Sequence, residues 1–182
     1  MSEIVASLHG IDVPKGPHLL PNIVRRLKSG DYERPEIEAG LANLQPGDAI
    51  VEMGSGAGVV GAVLTRSDPG IRLASFEGNP DLIPHIRELY ALNGLSDRIG
   101  VLNRIVVTGT EPPASVSFHI RRNFLGSRRS AENNEPDTRE VEIATIHYDE
   151  VRRDHPHNVL VLDIEGAELE FLAGADLRGI DL

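Results

Sequence analysis

Ala49-Ile50-Val51-Glu52-Met53-Gly54-Ser55-Gly56-Ala57-Gly58 is a short apolar run that breaks into three alternating glycines. Val59 to Thr65 follows it and reads as a helix. A strand, a glycine turn and a helix in that order form a unit that binds anionic or nucleotide-like ligands. Glycines let a ligand approach the backbone, and the unpaired N–H groups that open a helix favour negative charge. The spacing is E-x-G-x-G-x-G. A dinucleotide loop G-x-G-x-x-G would need a small residue where Val59 stands, and a phosphate loop ending in G-K-[ST] is absent.

The pattern repeats outward from this stretch. Ile71 to Phe76 is a second apolar run, closed by Glu77-Gly78-Asn79-Pro80. Asp81 to Asn93 predicts a helix, with Leu82, Ile86, Leu89 and Tyr90 on one face and Gly94 closing it. Ile99 to Asn103 predicts a third strand. Ser115 to Ile120 and Val141 to Ile146 alternate apolar and polar residues, as half-exposed strands do. Val159-Leu160-Val161-Leu162-Asp163 is an uninterrupted apolar run, which predicts a strand buried on both faces, and a helix should follow through Leu172. Upstream, Leu19 to Leu27 and Pro35 to Leu44 predict two short helices. The expected fold class is α/β, a mostly parallel sheet with helices on both faces. Residues 1–45 are expected to be an N-terminal helical segment and residues 46–182 a ligand-binding domain.

Composition sets the outer limits. The chain has 182 residues, 40% of them hydrophobic, enough for one domain with its own core. No window approaches the roughly 20 apolar residues of a membrane helix, and no secretory leader is visible. Cysteine is absent, which excludes disulfides, thiolate metal sites and a cysteine nucleophile. These features lead us to expect a cytoplasmic protein. The net charge of −10 argues against a duplex nucleic-acid partner, and no membrane partner is expected.

Glu77 is the strongest candidate ligand outside the glycine turn. It ends the second strand at the sheet edge where open α/β folds bind ligands, and a carboxylate there can accept two hydrogen bonds from a ribose diol. With the turn and Glu77 together, the sequence resembles the class I S-adenosylmethionine-dependent methyltransferases and, within them, the FkbM family. Three blocks carry the resemblance: Pro46-Gly47-Asp48 leading into Val51 to Gly58; Phe76 to Pro80 with Ala91-Leu92-Asn93-Gly94-Leu95; and Leu162-Asp163-Ile164-Glu165-Gly166-Ala167-Glu168. The resemblance implies a Rossmann-like fold, S-adenosylmethionine as cofactor and methylation of a hydroxyl on a sugar or other small natural product. It implies a cofactor set of Glu52, Gly54, Ser55, Gly56, Gly58, Glu77, Asn79 and Asn103. The glycine turn would lie against the methionine part, Glu77 on the ribose and Asn103 near the adenine.

An alcohol needs its proton removed before it attacks a methyl group, so a carboxylate or imidazole base is expected. Asp163, at the end of the last strand, is the first candidate and Glu165 the second; together they could instead hold a divalent cation, although no metal is expected. The sequence departs from the family pattern at Glu52 (usually Asp), Gly78 (often Pro) and Leu162 (often Lys). It also stops before the last strands of a seven-stranded sheet. The departure at Leu162 keeps a non-catalytic module open as an alternative, and Glu77 alone would equally suit a nicotinamide-binding module. An open sheet edge would permit a homodimer. Arg121 to Glu140 carries five arginines and reads either as a lid that recruits an anionic acceptor or as a solvated loop. His155-Pro156-His157 is the only close histidine pair and is expected in a loop; His119 and His147 lie in or beside strands.

Overall fold

The computed structural model of the chain describes residues 2–121, 138–164 and 166–181. The N-terminal segment opens with a hairpin of β1 (Ile4–Leu8) and β2 (Ile11–Pro14). Its two-residue turn places His9 and Gly10 at φ +48° and +77°, the mirror-image turn whose twist matches that of paired strands. The sequence reading expected only helices here. Helices follow the hairpin: α1 (Pro21–Ser29), with proline in its first turn and Gly30 left-handed after its last, then α2 (Arg34–Asn43).

The glycine-turn unit folds as expected into β3 (Ala49–Met53) and α3 (Val59–Ser67). Next come β4 (Arg72–Phe76), α4 (Ile83–Leu92), β5 (Ile99–Leu102), β6 (Ile105–Val107), β7 (Ser115–Arg121) and β8 (Thr138–His147). The described chain closes with α5 (Tyr148–Asp154), β9 (Val159–Leu162) and α6 (Glu168–Gly174). Four parallel strands form the main sheet in the order β5-β4-β3-β9. A smaller sheet, β6-β8-β7, stands beside it, with β6 parallel and β7 antiparallel to β8.

Alternation along the main strands divides the core. Ile50 and Leu73 face α3, α4 and the N-terminal hairpin, in one apolar cluster with Val63, Ile86, Leu89 and Ile11. Val51, Met53, Ala74 and Phe76 face the other way, onto Tyr148 and Val151 of α5 and Phe171 of α6. Helices therefore cover both faces, which is the expected α/β class. One expectation fails in detail: β9 is half-buried along its whole length rather than fully buried. Val159 and Val161 pack on one cluster and Leu160 and Leu162 on the other, but among the described residues only β3 pairs with β9, leaving one flank open. Among the described residues no helix is long and apolar enough to cross a membrane.

Candidate functional site

The C-terminal ends of β3, β4 and β9 converge on a cleft of about 380 Å³, within the range of small-molecule sites. The glycine turn forms its floor. The Gly54 N–H donates to the Phe76 carbonyl at 2.9 Å, and the Asp163 N–H donates to the Met53 carbonyl at 2.9 Å, so the turn begins wedged between two strands. Gly54 has φ +87°, and a Cβ there would stand 1.8 Å from the Asp163 carbonyl oxygen. No other residue type fits that position. The turn closes with Gly58 N–H donating to the Ser55 carbonyl at 2.7 Å, directly before α3.

Glu77 joins this turn to the next strand. One carboxylate oxygen accepts from the Gly56 N–H at 2.9 Å, the other from the Asn79 N–H at 2.7 Å. The side chain is almost wholly buried and lines the cleft. Burial pushes its acid up to about 7, against the pull of the Asn79 and Gly56 N–H groups, and the charge of Asp163 raises it further. The Gly78 N–H is a third partner, and an ionised carboxylate has about four lone-pair sites, so room remains for one more donor.

The remaining predicted cofactor residues divide by position. Gly54, Ser55, Gly56 and Glu77 line the cleft. Glu52 reaches the lining, but its carboxylate is buried under α3. It accepts from Ser75 Oγ at 2.6 Å and lies where a Cβ on Gly61 would come within 2.8 Å. Burial raises this acid too, to about 7. Ser55 Oγ bonds Ser75 Oγ, extending that buried network to the turn itself. Gly58 caps α3, and a Cβ there would come within 3.2 Å of the Tyr90 hydroxyl. Asn79 is fully buried; its Oδ1 accepts from the Asp81 N–H at 3.0 Å, building the turn that carries Glu77. Asn103 clasps the same turn from outside, its Nδ2 donating to the carbonyls of Glu77 (2.7 Å) and Gly78 (3.1 Å).

Asp163 lines the cleft and is exposed there. Glu165 lies outside the described residues, as do Arg122, Arg128 and Arg129 of the arginine-rich stretch. Of that stretch, Arg139 is described: its Nη2 donates to Asp81 Oδ2 at 2.6 Å and ties β8 to the start of α4. Among the described residues no three His, Asp or Glu side chains cluster closely enough to hold a cation. The close histidine pair is engaged locally, His157 Nε2 with the Tyr148 hydroxyl at 3.0 Å and His155 edge-on to Phe76. His147 caps α5: Nδ1 accepts from the Asp149 N–H while Nε2 faces the Gly109 carbonyl at 2.9 Å.

The lining side chains that went unanticipated include three from outside the strands of the glycine turn and Glu77. Phe118 on β7 presses on Gly78, where a Cβ would come within 2.8 Å of its ring. Its place on the buried phase of β7 was a readable signal. Tyr32 and Glu33, from the turn before α2, line the cleft from the N-terminal segment, and no spacing in the sequence points to them.

A parallel α/β sheet with a glycine turn after one strand and a buried acid after the next defines a nucleoside-type binding protein of the open-sheet kind. The chain belongs more narrowly to the FkbM methyltransferase family: the profile of the methyltransferase FkbM domain matches residues 50–181. The methyl donor of that family is S-adenosylmethionine. No curated protein matches the sequence. Among solved structures, the chain is similar to the mitomycin 7-O-methyltransferase MmcR (26% identity over 47% of this chain, TM-score 0.36). It is also similar to a SAM-dependent methyltransferase from Geobacter sulfurreducens in complex with S-adenosyl-L-homocysteine (21% over 37%, TM-score 0.33). A third is the C-terminal domain of precorrin-6Y C5,15-methyltransferase from Rhodobacter capsulatus (27% over 41%, TM-score 0.33). The matches cover 26%, 28% and 36% of those three chains.

The residues present fit the family's cofactor. The cleft is lined by backbone at Gly54 and Gly56, and its wall carries a carboxylate with acceptor capacity beside that backbone, the acceptor a ribose hydroxyl requires.

Proposed function

We propose that this chain carries the cofactor site of an O-methyltransferase acting on a hydroxyl of a sugar or another small hydroxylated natural product. One observation carries the reading: the Glu77 carboxylate bridges Gly56 and Asn79 in the wall of the cleft, with acceptor capacity left for a ribose hydroxyl. When bound, S-adenosylmethionine supplies a methyl carbon made electrophilic by its sulfonium. Glu77 would hold the ribose hydroxyls, and the turn from Gly54 to Gly58 would take the amino-acid end against bare backbone. Glu52 and Asn103 would act at one remove, Glu52 by fixing α3 behind the turn and Asn103 by fixing the Glu77–Gly78 carbonyls. Asp163, exposed in the same cleft, would take the proton from the acceptor hydroxyl as it attacks. Fixing the acceptor oxygen in line with the methyl carbon would supply most of the remaining acceleration.

Isothermal titration of the chain with S-adenosylhomocysteine and with NAD tests the reading. Micromolar binding of the first and none of the second is expected. Binding of NAD alone would place the chain among nicotinamide-binding modules instead.

A further inference from the structure

We infer that Tyr32, on the segment preceding the family-matched region, is a positioning residue that sets the glycine turn for the amino-acid end of the cofactor. The inference rests on the cofactor reading above. The family match begins at residue 50, yet Arg26, Tyr32 and Glu33 line the same cleft as Gly54 and Asp163. Tyr32 is only 5% exposed, and its hydroxyl is turned toward the backbone N–H of Ala57, inside the glycine turn. Ala57 also packs in one apolar cluster with Val13, Leu19 and Leu27, so the N-terminal segment meets the glycine turn through both a polar and an apolar contact.

The local structure is built to hold the ring in place. Arg26 donates from Nε and Nη2 to the Asp31 carbonyl at 3.3 and 3.0 Å, and its guanidinium carbon stands 6.0 Å from the Tyr32 ring centroid. The Asp31 N–H donates back to the Arg26 carbonyl at 2.9 Å. The next residue, Glu33, sits at φ +43°, a left-handed conformation rare outside glycine. Strain of this kind persists where the surroundings over-determine it, typically beside a functional site. A segment whose only duty was to cover the core through Leu27 and Ile37 would not need it.

The test is titration of the full chain with S-adenosylhomocysteine and with 5′-methylthioadenosine, which lacks the amino-acid end. Tyr32→Phe keeps the ring and removes only the hydroxyl. It is expected to weaken S-adenosylhomocysteine about fivefold, the value of one hydrogen bond, and to leave methylthioadenosine within twofold of the parent. Tyr32→Ala should weaken S-adenosylhomocysteine further with the same selectivity. Equal weakening of both ligands, or none of either by the Phe variant, would overturn the inference and leave the cofactor reading intact. Failure of the parent itself to bind S-adenosylhomocysteine would overturn that reading and the inference with it.

Discussion

At the scale of single residues, two buried acids stand at the candidate site, and they are held differently. Glu52 is locked into Ser75 and α3, whereas Glu77 faces the cleft with both oxygens already sharing backbone N–H groups. Burial holds the Glu77 acid near 7, so its charge changes close to neutrality. A ribose diol donates hydrogen bonds, which favours the ionised form. Affinity for S-adenosylhomocysteine should therefore be full above pH 7 and fall as pH drops through that value. Glu77→Gln removes the charge-assisted bonds, worth about 1.5–3 kcal/mol, and should cost roughly tenfold to a hundredfold in affinity at pH 8. The variant's affinity should also vary little between pH 6 and 8. A parent titration curve that is flat over this range would show that the Glu77 carboxylate does not meet the ligand.

At the scale of elements, the sequence was most legible where local pattern and tertiary role coincide. The apolar run before Gly54 and the one before Glu77 became neighbouring parallel strands, because an uninterrupted apolar run suits a strand covered on both faces. The same rule overstated β9, since residue pattern reports the faces of a strand and not whether its hydrogen-bonding flank is filled. The hairpin β1–β2 was missed because its turn is His9-Gly10, which lacks the Asn-Gly or Asp-Gly signature of such turns. Helix α5 went unread although Asp149 and Glu150 open it and Arg152 and Arg153 close it, the charge order that a helix dipole favours. In the site, Glu77 and the glycines were legible because their chemistry is local; Tyr32 was not, because only the packing of α1 and α2 brings it to the cleft. Asn93 shows one residue serving two elements. It was read as the end of α4, and it does bond the Leu89 carbonyl there. It also accepts from the Asp12 N–H at 2.9 Å and donates to the Asp12 carbonyl at 2.8 Å, pinning β2 to α4. Asn93→Ala strands both backbone groups of Asp12, and should lower stability by about 1–3 kcal/mol. Urea unfolding measures that loss, and hydrogen exchange should show protection falling first in β2; unchanged exchange in β2 would mean that the hairpin is held by its apolar contacts alone.

At the scale of the whole molecule, three buried groups make folding itself sensitive to pH, with opposing signs. Glu52 and Glu77 have native acids raised from 4.5 to about 7, so the native state holds two protons that the unfolded chain releases above pH 4.5. Their contribution is complete below 4.5 and is lost as pH rises through 7. His18 acts in the other direction. It is buried against His85 with ring centroids 4.7 Å apart, and burial lowers it from 6.5 to about 4, so the unfolded chain binds the proton that the native state refuses. Its contribution is complete above 6.5 and is lost as pH falls toward 4. Between about pH 4.5 and 6.5 these three groups give the native state a net one proton more than the unfolded chain; His157, which burial also lowers, offsets part of it toward pH 6.5. Stability should fall with pH there by up to about 1.4 kcal/mol per unit. From 6.5 to 7 the histidine no longer compensates and the fall steepens; above 7 it levels off. Urea unfolding at pH 5, 6, 7 and 8 measures the curve. The double variant Glu52→Gln, Glu77→Gln leaves the lowered histidines His18 and His157 titrating there, and its stability should rise with pH between 4.5 and 6.5 where that of the parent falls. A parent that gains stability steadily from pH 5 to 7 would mean that these carboxylates are ionised in the folded protein, and that the polar network beneath the glycine turn is held together by charge.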